Sequence, residues 1–394
     1  MTTNRVAITG LGITSAVGNG VEECWQNLLA GVNGIDSITR FNPNNSLVTM
    51  AATNPKNDKD KYPRDIITKM MHEVIEEATS DQNLEFDEMY YSLTNGLYDW
   101  PIRLRNLAGE VNEDPFKKYF LESSFANELR AKYKVKSMPS FLSNACAASA
   151  KAIELGVDRI KAGQASRVLV AASDCCVAGE TIALFGRLSA LSTQNDTPTS
   201  ASAPFSEQRD GFVIGEGAAA LILEDEASAK ARKAKIYGYV LGTGHSTDNF
   251  HRTKGDPEAK KITECMESAL ENARISFSDL SCIYAHGTST VENDKMELRA
   301  IEGLAQGHTV KLTSVKSMIG HSLYAAGVIN AVCAVLGMHS DSIPPTINFQ
   351  SNSEVNAVDF VTEKNLAWES PIVMSNSYGF GGQNVSLIFC KSFE

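Results

Sequence analysis

Between Tyr324 and Met338 the chain carries no charged residue, and Asn330 is its one amide, so a helix formed there is apolar on nearly every face. Such a helix is expected to be buried on every side. The apolar stretch from Leu323 to Met338 also falls short of the roughly 20 residues that a membrane span requires, so no membrane partner is expected.

What surrounds that helix reads as α/β. Short β-rich runs bounded by Gly, Ser or Asn occur at Val168 to Ala172, Ala218 to Leu223, Cys282 to Ala285, Ile372 to Ser375 and Val385 to Phe389. Helical patterns of small residues alternate with them, as in Ala147 to Ala162, where Ile153, Val157 and Ile160 share a face and Gly163 supplies a stop. Alternation of this kind argues for an α/β fold with mostly buried strands. The opening Val6-Ala7-Ile8 imitates the start of a signal peptide behind Arg5. Thr9, Gly10, Gly12, Thr14 and Ser15 dilute that pattern, and a buried strand entering a loop is the better reading. From about residue 40 to 140 charges and aromatics are denser, among them Lys56, Lys59, Lys61, Arg64 and Lys69, then Tyr90, Tyr91, Tyr98 and Trp100. That stretch is expected to be an inserted cap or a partner-facing region.

Composition narrows the function classes. At 394 residues with 43% hydrophobic and 21% charged residues, the chain is ordinary globular material that can bury a large core. Its net charge of −11 argues against a nucleic-acid partner. Eight cysteines without paired spacing, several inside apolar runs, argue for reduced thiols and a cytoplasmic location, and no metal site is expected. Gly10-Leu-Gly12-Ile-Thr-Ser15 is only a partial dinucleotide fingerprint, because Ser15 replaces its third glycine.

Two segments invite comparison. Ser143-Asn-Ala-Cys146-Ala-Ala-Ser and Met318-Ile-Gly-His321-Ser-Leu-Tyr each place a reactive side chain after a small-residue turn and before a helix of Ala, Gly and aliphatics. Two similar halves facing each other would bring these turns together. Cys146 stands at a helix start, where free backbone N–H groups and the positive dipole end favour a thiolate. A buried, inert cysteine is the competing reading, and Cys175 and Cys176 fit it better. His286 follows a strand, in Tyr284-Ala-His-Gly-Thr-Ser-Thr290, and His321 lies in Lys316-Ser-Met-Ile-Gly-His. Either alone could be a structural histidine. Together with Cys146 they form the set that nucleophilic acyl chemistry requires. Gly379-Phe380-Gly-Gly382 precedes a terminal strand, as an oxyanion-binding loop or a plain hairpin would.

In family order, the opening strand from Val6 to Gly12, Asn144-Ala-Cys146-Ala-Ala-Ser149, Pro204 to Gly217, His286-Gly-Thr-Ser-Thr290, Lys316 to His321 and Asn376 to Gly382 resemble the motifs of the β-ketoacyl-acyl-carrier-protein synthases. These are the elongating condensing enzymes of type II fatty-acid and polyketide systems. The resemblance implies the thiolase fold, two similar α/β halves in a five-layer α-β-α-β-α sandwich, with residues 1–240 holding the nucleophile and 241–394 the two histidines. It implies that Cys146 takes an acyl chain from acyl carrier protein, and that the N–H groups of Cys146 and Phe380 bind the thioester oxygen. His286 and His321 would then stabilise the enolate formed when malonyl-carrier loses CO₂. Lys316 and Glu297 would order the histidine loop through a buried ion pair, Thr288 and Thr290 would touch the phosphopantetheine arm, and Phe380 would gate the acyl pocket. Asp248 and His251 match a loop near the site with no assigned chemistry. No bound cofactor or metal is implied, since substrates ride on the carrier's phosphopantetheine. The expected assembly is a homodimer, or a heterodimer with a ketosynthase-like or chain-length-factor chain, and Lys56, Lys59, Lys61, Arg64 and Lys69 are the candidate carrier-docking patch.

The chain departs from the family pattern in several places. Ser206 stands where Asp is common and Gln383 where Thr is common, the run Tyr91 to Tyr98 lacks a glycine-rich stretch, and Asp99 to Ser137 follows no family pattern. A non-catalytic chain-length-factor-like partner is an alternative that retention of Cys146 argues against. A biosynthetic thiolase is another, opposed by the two-histidine pattern and by Phe380 occupying the glycine-rich loop.

Overall fold

The computed structural model describes residues 4–43, 46–58, 63–79, 84–94, 107–110, 122–352, 356–369 and 371–393. Its principal strands are β1 (Val6–Ser15), β2 (Glu88–Leu93), β3 (Ser140–Phe141), β4 (Arg167–Cys175), β5 (Glu216–Asp225), β6 (Gly238–Thr247), β7 (Cys282–Tyr284), β8 (Val310–Thr313), β9 (Val358–Phe360), β10 (Ile372–Gly379) and β11 (Gln383–Cys390). The first five run across the sheet in the order β3-β2-β4-β5-β1, and in the other half the order is β8-β7-β10-β11-β6, with β9 outside β8. Numbered within each half with the edge strand β9 set aside, both orders read 3-2-4-5-1. In each half parallel pairs at the outer edge give way to antiparallel pairs inward, and the halves join where Val6–Ile8 of β1 pairs with Gly238–Val240 of β6.

Strand periodicity explains the layers. On β4, Val168 and Val170 face one apolar cluster while Leu169 and Ala171 face another, so both faces of the sheet are covered and the strand reads as a continuous apolar run. Helix α1 (Pro63–Thr79) covers the outer face of the first half with Ile66, Met70 and Val74. Helices α2 (Ala148–Lys161) and α5 (Ala326–Ser340) lie between the two halves, and α3 (Lys260–Ala273) and α4 (Val291–Ala305) cover the outer face of the second. The result is the expected five-layer sandwich. The segment Leu323–Ser340, apolar enough to suggest a membrane span, is 83% buried in this central layer.

The two central helices approach closely because small residues meet there. The Val328 amide donates to Ser149 Oγ at 3.0 Å, and a Cβ on Gly327 would sit 2.6 Å from the Ala150 nitrogen. The turns bearing Cys146 and His321 are thereby brought face to face.

One expectation is corrected. The stretch from about 40 to 140 is not a cap throughout: α1 and β2 within it are layers of the fold itself. Charge density hides the pattern, since Ile66, Ile67, Met70, Met71, Val74 and Ile75 form a buried stripe while Lys69, His72 and Glu73 sit between them in sequence. Lys59, Lys61, Tyr98, Trp100 and much of the Asp99 to Ser137 segment lie outside the described residues.

Candidate active site

Cys146 sits in a tight turn in which Ala145 adopts φ 46°, a left-handed conformation that costs a residue with a Cβ about 1 kcal/mol or more. The Ala147 amide donates to the Asn144 carbonyl at 3.1 Å and that of Ala148 to Ala145 at 3.0 Å, locking the turn onto the start of α2. Across from it, a Cβ on Gly379 would meet the Asn144 oxygen at 3.0 Å and the Cys146 nitrogen at 3.2 Å, so a side chain there would push the Gly379–Gly382 loop away from the turn by a few tenths of an ångström. The backbone N–H groups of Phe380 and of Cys146 itself both point at the thiol and favour its ionised form. Burial nevertheless dominates and pushes the thiol up to about 12, with Lys316 pulling it down and Asp174 pushing it up. The resting thiol is therefore protonated, and the helix start alone does not deliver the thiolate that its position suggests.

His286 follows β7, and the Glu297 carboxylate on α4 fixes its loop. That carboxylate accepts from the His286 amide at 2.9 Å, the Gly287 amide at 2.9 Å and Asn376 Nδ2 at 3.0 Å. His321 is pinned from the other side. Its amide donates to the Val213 carbonyl at 2.8 Å, and its carbonyl accepts from the Gly215 amide at 3.0 Å. The two rings are nearly perpendicular, at 85°, with centroids 5.4 Å apart. Both histidines are buried, and burial followed by the nearby Lys316 charge holds both well below the usual imidazole value. They are neutral at pH 7, so each ring can donate one hydrogen bond. Among the described residues neither Nδ1 has a partner.

Lys316 is 3% exposed, and burial lowers its ammonium to about 8 against the opposing pull of Glu297 and Cys146. Burial raises Glu297 to about 7, while its amide donors pull it back down. The two side chains are not in ion-pair contact. The carboxylate is engaged by backbone amides instead, so Glu297 orders the histidine loop directly rather than through Lys316.

A cleft open to solvent joins these groups. Cys146, His286, His321, Thr288, Thr290 and Phe380 all line it. Thr288 and Thr290 are linked hydroxyl to hydroxyl at 2.9 Å, and Thr290 also caps α4. Asp248 and His251 contribute to the same wall. Every residue expected at the site is thus brought to the cleft or, for Lys316 and Glu297, packed behind it.

Three acids or amides that support the site were not singled out from sequence. Asp294, fully buried, accepts from the amides of Thr288 at 3.0 Å, Ser289 at 3.1 Å and Phe205 at 2.8 Å, tying the threonine loop to the Pro204–Gly217 segment. In sequence it is one of two ordinary first-turn acids after the Thr290 cap. Asp174 accepts from Thr94 Oγ1 at 2.7 Å and the Tyr324 amide at 3.0 Å, bridging the end of β4 to the turn after His321. A charge closing the apolar run Val168 to Ala172 was the available signal. Asn376 offered none beyond its place in a glycine-rich motif.

Residues 3–229 match the family model described as β-ketoacyl synthase, N-terminal domain, and residues 237–350 match the corresponding C-terminal domain. The 3-oxoacyl-(acyl-carrier-protein) synthase 2 of Coxiella burnetii is 34% identical over 414 residues, covering 100% of both chains. That of Staphylococcus aureus is 34% identical over 412 residues, covering 99% of each. A ketosynthase assembly solved with its type II polyketide acyl-carrier protein superposes with a TM-score of 0.91 at 27% identity, over 99% of this chain and 100% of that one. The ishigamide ketosynthase/chain length factor superposes with a TM-score of 0.88 at 28% identity, over 100% of both.

Proposed function

This chain belongs to the β-ketoacyl synthase family, and from that premise we propose that it is a 3-oxoacyl-acyl-carrier-protein synthase, an acyltransferase forming carbon–carbon bonds in type II fatty-acid or polyketide elongation. The observation that carries this reading is the meeting, in one cleft, of a thiol faced by two backbone N–H groups with two neutral imidazoles.

In the first half-reaction the Cys146 sulfur attacks the carbonyl of an acyl-carrier thioester. The amides of Cys146 and Phe380 bind the developing oxyanion, a contribution of about 10²–10³ in rate for each such donor. The acyl group moves to Cys146, and the thiol proton leaves with the discharged carrier thiol. In the second, malonyl-carrier loses CO₂. His286 and His321 donate hydrogen bonds to the thioester oxygen as it becomes an enolate, and the carbanion attacks the Cys146 thioester. The Cys146 thiolate is expelled and takes a proton from solvent, and the chain is two carbons longer. Lys316 supplies positive charge behind both steps.

The partners in this reading are an acyl carrier protein and a second ketosynthase-like chain, identical or of the chain-length-factor kind. The division into halves at residues 1–240 and 241–394 is part of it, supported by the repeated 3-2-4-5-1 strand order. Mixing the protein with an acyl-carrier thioester should give a single acyl adduct on Cys146 by peptide mass spectrometry. An unmodified Cys146 beside an acylated bystander would overturn the assignment.

A pH prediction follows from the histidines. Their depressed pKa values mean that the neutral forms persist down to pH values well below 6.5. Histidine titration is therefore expected to leave the rate of CO₂ release unchanged from about pH 6 to 7.5. A decline as pH falls below 7 tracks protonation of Glu297, held at about 7, and a decline as pH rises tracks Lys316, held at about 8, losing its charge. A rate that falls through pH 6.5 as pH rises would show that a protonated histidine is required.

A further inference from the structure

The phosphopantetheine arm carries a negatively charged phosphodiester at its outer end, and nothing described so far receives it. The cleft's charged lining is mostly acidic: Asp210, Asp248 and Glu292. Two of these acids are committed to local hydrogen bonds. Asp248 accepts from the amides of Phe250 and Asp256, both at 2.8 Å, and Asp210 accepts from the Thr193 amide at 3.0 Å and Gln194 Nε2 at 3.1 Å. Among the described residues lining the cleft, Lys254 is the one lysine or arginine. Its ammonium stands 3.7 Å from Glu292 Oε1, and the two side chains are 61% and 56% exposed, whereas Cys146 is 8% exposed. The pair therefore lies at the mouth and the thiol at the floor. A pair this exposed and this long contributes little to stability, about 0–1 kcal/mol, so the lysine can change partners at small cost.

We propose that Lys254 is the phosphate-binding residue of the cleft mouth, releasing Glu292 to pair with the phosphodiester of the incoming arm. The inference rests on the proposed carrier-dependent function. Thr288 and Thr290 line the same wall, and Glu292 follows them on α4, so an arm passing the threonine hydroxyls emerges beside the Lys254–Glu292 pair. Glu292 has an opposing role. Unpaired it would repel the phosphate, and until an anion arrives it holds Lys254 at the cleft wall.

The test is equilibrium binding of two small probes, 4′-phosphopantetheine and pantetheine, to the intact protein by NMR titration at low ionic strength, a readout independent of turnover. The wild type is expected to prefer the phosphorylated probe by about three- to tenfold, the scale of one exposed charge pair, and to lose that preference as salt rises. Lys254→Ala should bring the ratio to about one by weakening the phosphorylated probe, Lys254→Arg should retain the preference, and Glu292→Gln should increase it. A preference that survives Lys254→Ala, or an equal loss for both probes, would overturn the proposal. Acylation of Cys146 by a carrier thioester, measured in parallel, reports on the function separately. Phosphate preference without acylation would remove the synthase reading and keep the anion site.

Discussion

Replacing His286 or His321 with alanine is expected to reduce CO₂ release from a malonyl-carrier thioester by about 10²–10⁴-fold, while acylation of Cys146 persists. The two rings are buried, neutral and 5.4 Å apart, and both face the cleft. As donors to a developing enolate they act in a site where burial makes each hydrogen bond worth more than in water. In the proposed acylation step the oxyanion donors are the amides of Cys146 and Phe380, which face the thiol and which neither substitution removes. The converse variant, Cys146→Ala, should lose acylation entirely and retain CO₂ release, since the histidines and the threonine-lined wall remain. The measurement is a pair of assays on each variant, radiolabelled CO₂ for the second half-reaction and intact mass for the first, with circular dichroism to confirm folding. If His286→Ala and His321→Ala lower both half-reactions in parallel, the histidines serve the thiol as well, and the division of labour fails.

The groups of the candidate site are legible in the sequence because each sits in a short, distinctive local motif: Cys146 among alanines, His286 after a strand, His321 before a helix with no charge. The central position of that helix followed from Tyr324 to Met338 alone. What was not legible depends on contacts between distant segments. Glu297 reads as the partner of Lys316, yet its oxygens are taken by the amides of His286 and Gly287 and by Asn376, which only the fold brings together. Asp294 looks like a common first-turn acid, and its role appears only when Phe205, 89 residues earlier, is seen donating to it. The ionisation of the thiol is not legible in sequence, for a physical reason. A helix start is a local feature and visible in sequence, whereas the desolvation that outweighs it arises from the whole packed site. The helix α1 was hidden within a supposed cap because counting charges obscures a stripe that only the 3.6-residue period reveals.

The largest stability effect outside the core is expected at Arg40. Its guanidinium meets the Glu216 carboxylate twice, at 2.6 and 3.0 Å, with the two side chains 5% and 0% exposed. Glu216 also accepts from the Asn54 amide at 2.9 Å, Asn57 Nδ2 at 3.0 Å and Cys175 Sγ at 3.1 Å. Arg40→Ala leaves a buried carboxylate with neutral donors only, and a loss of about 3–5 kcal/mol is expected, read from the urea midpoint. Arg40→Lys should cost less, because a point charge remains although the two-pronged contact does not. The double variant Arg40→Ala with Glu216→Gln decides the cause. If the loss comes from the unpaired charge, removing that charge restores part of it. If the double variant is no more stable than Arg40→Ala, packing rather than charge holds the segment. The consequence reaches the site, because the chain beside Asn54 supports the histidine. The Ala52 amide donates to the Ile214 carbonyl at 2.9 Å, and the neighbouring Gly215 amide donates to the His321 carbonyl at 3.0 Å. Loosening the Arg40–Glu216 pair should therefore slow CO₂ release, which needs His321 in place, more than it slows acylation of Cys146, whose turn is braced by Gly379 and the start of α2.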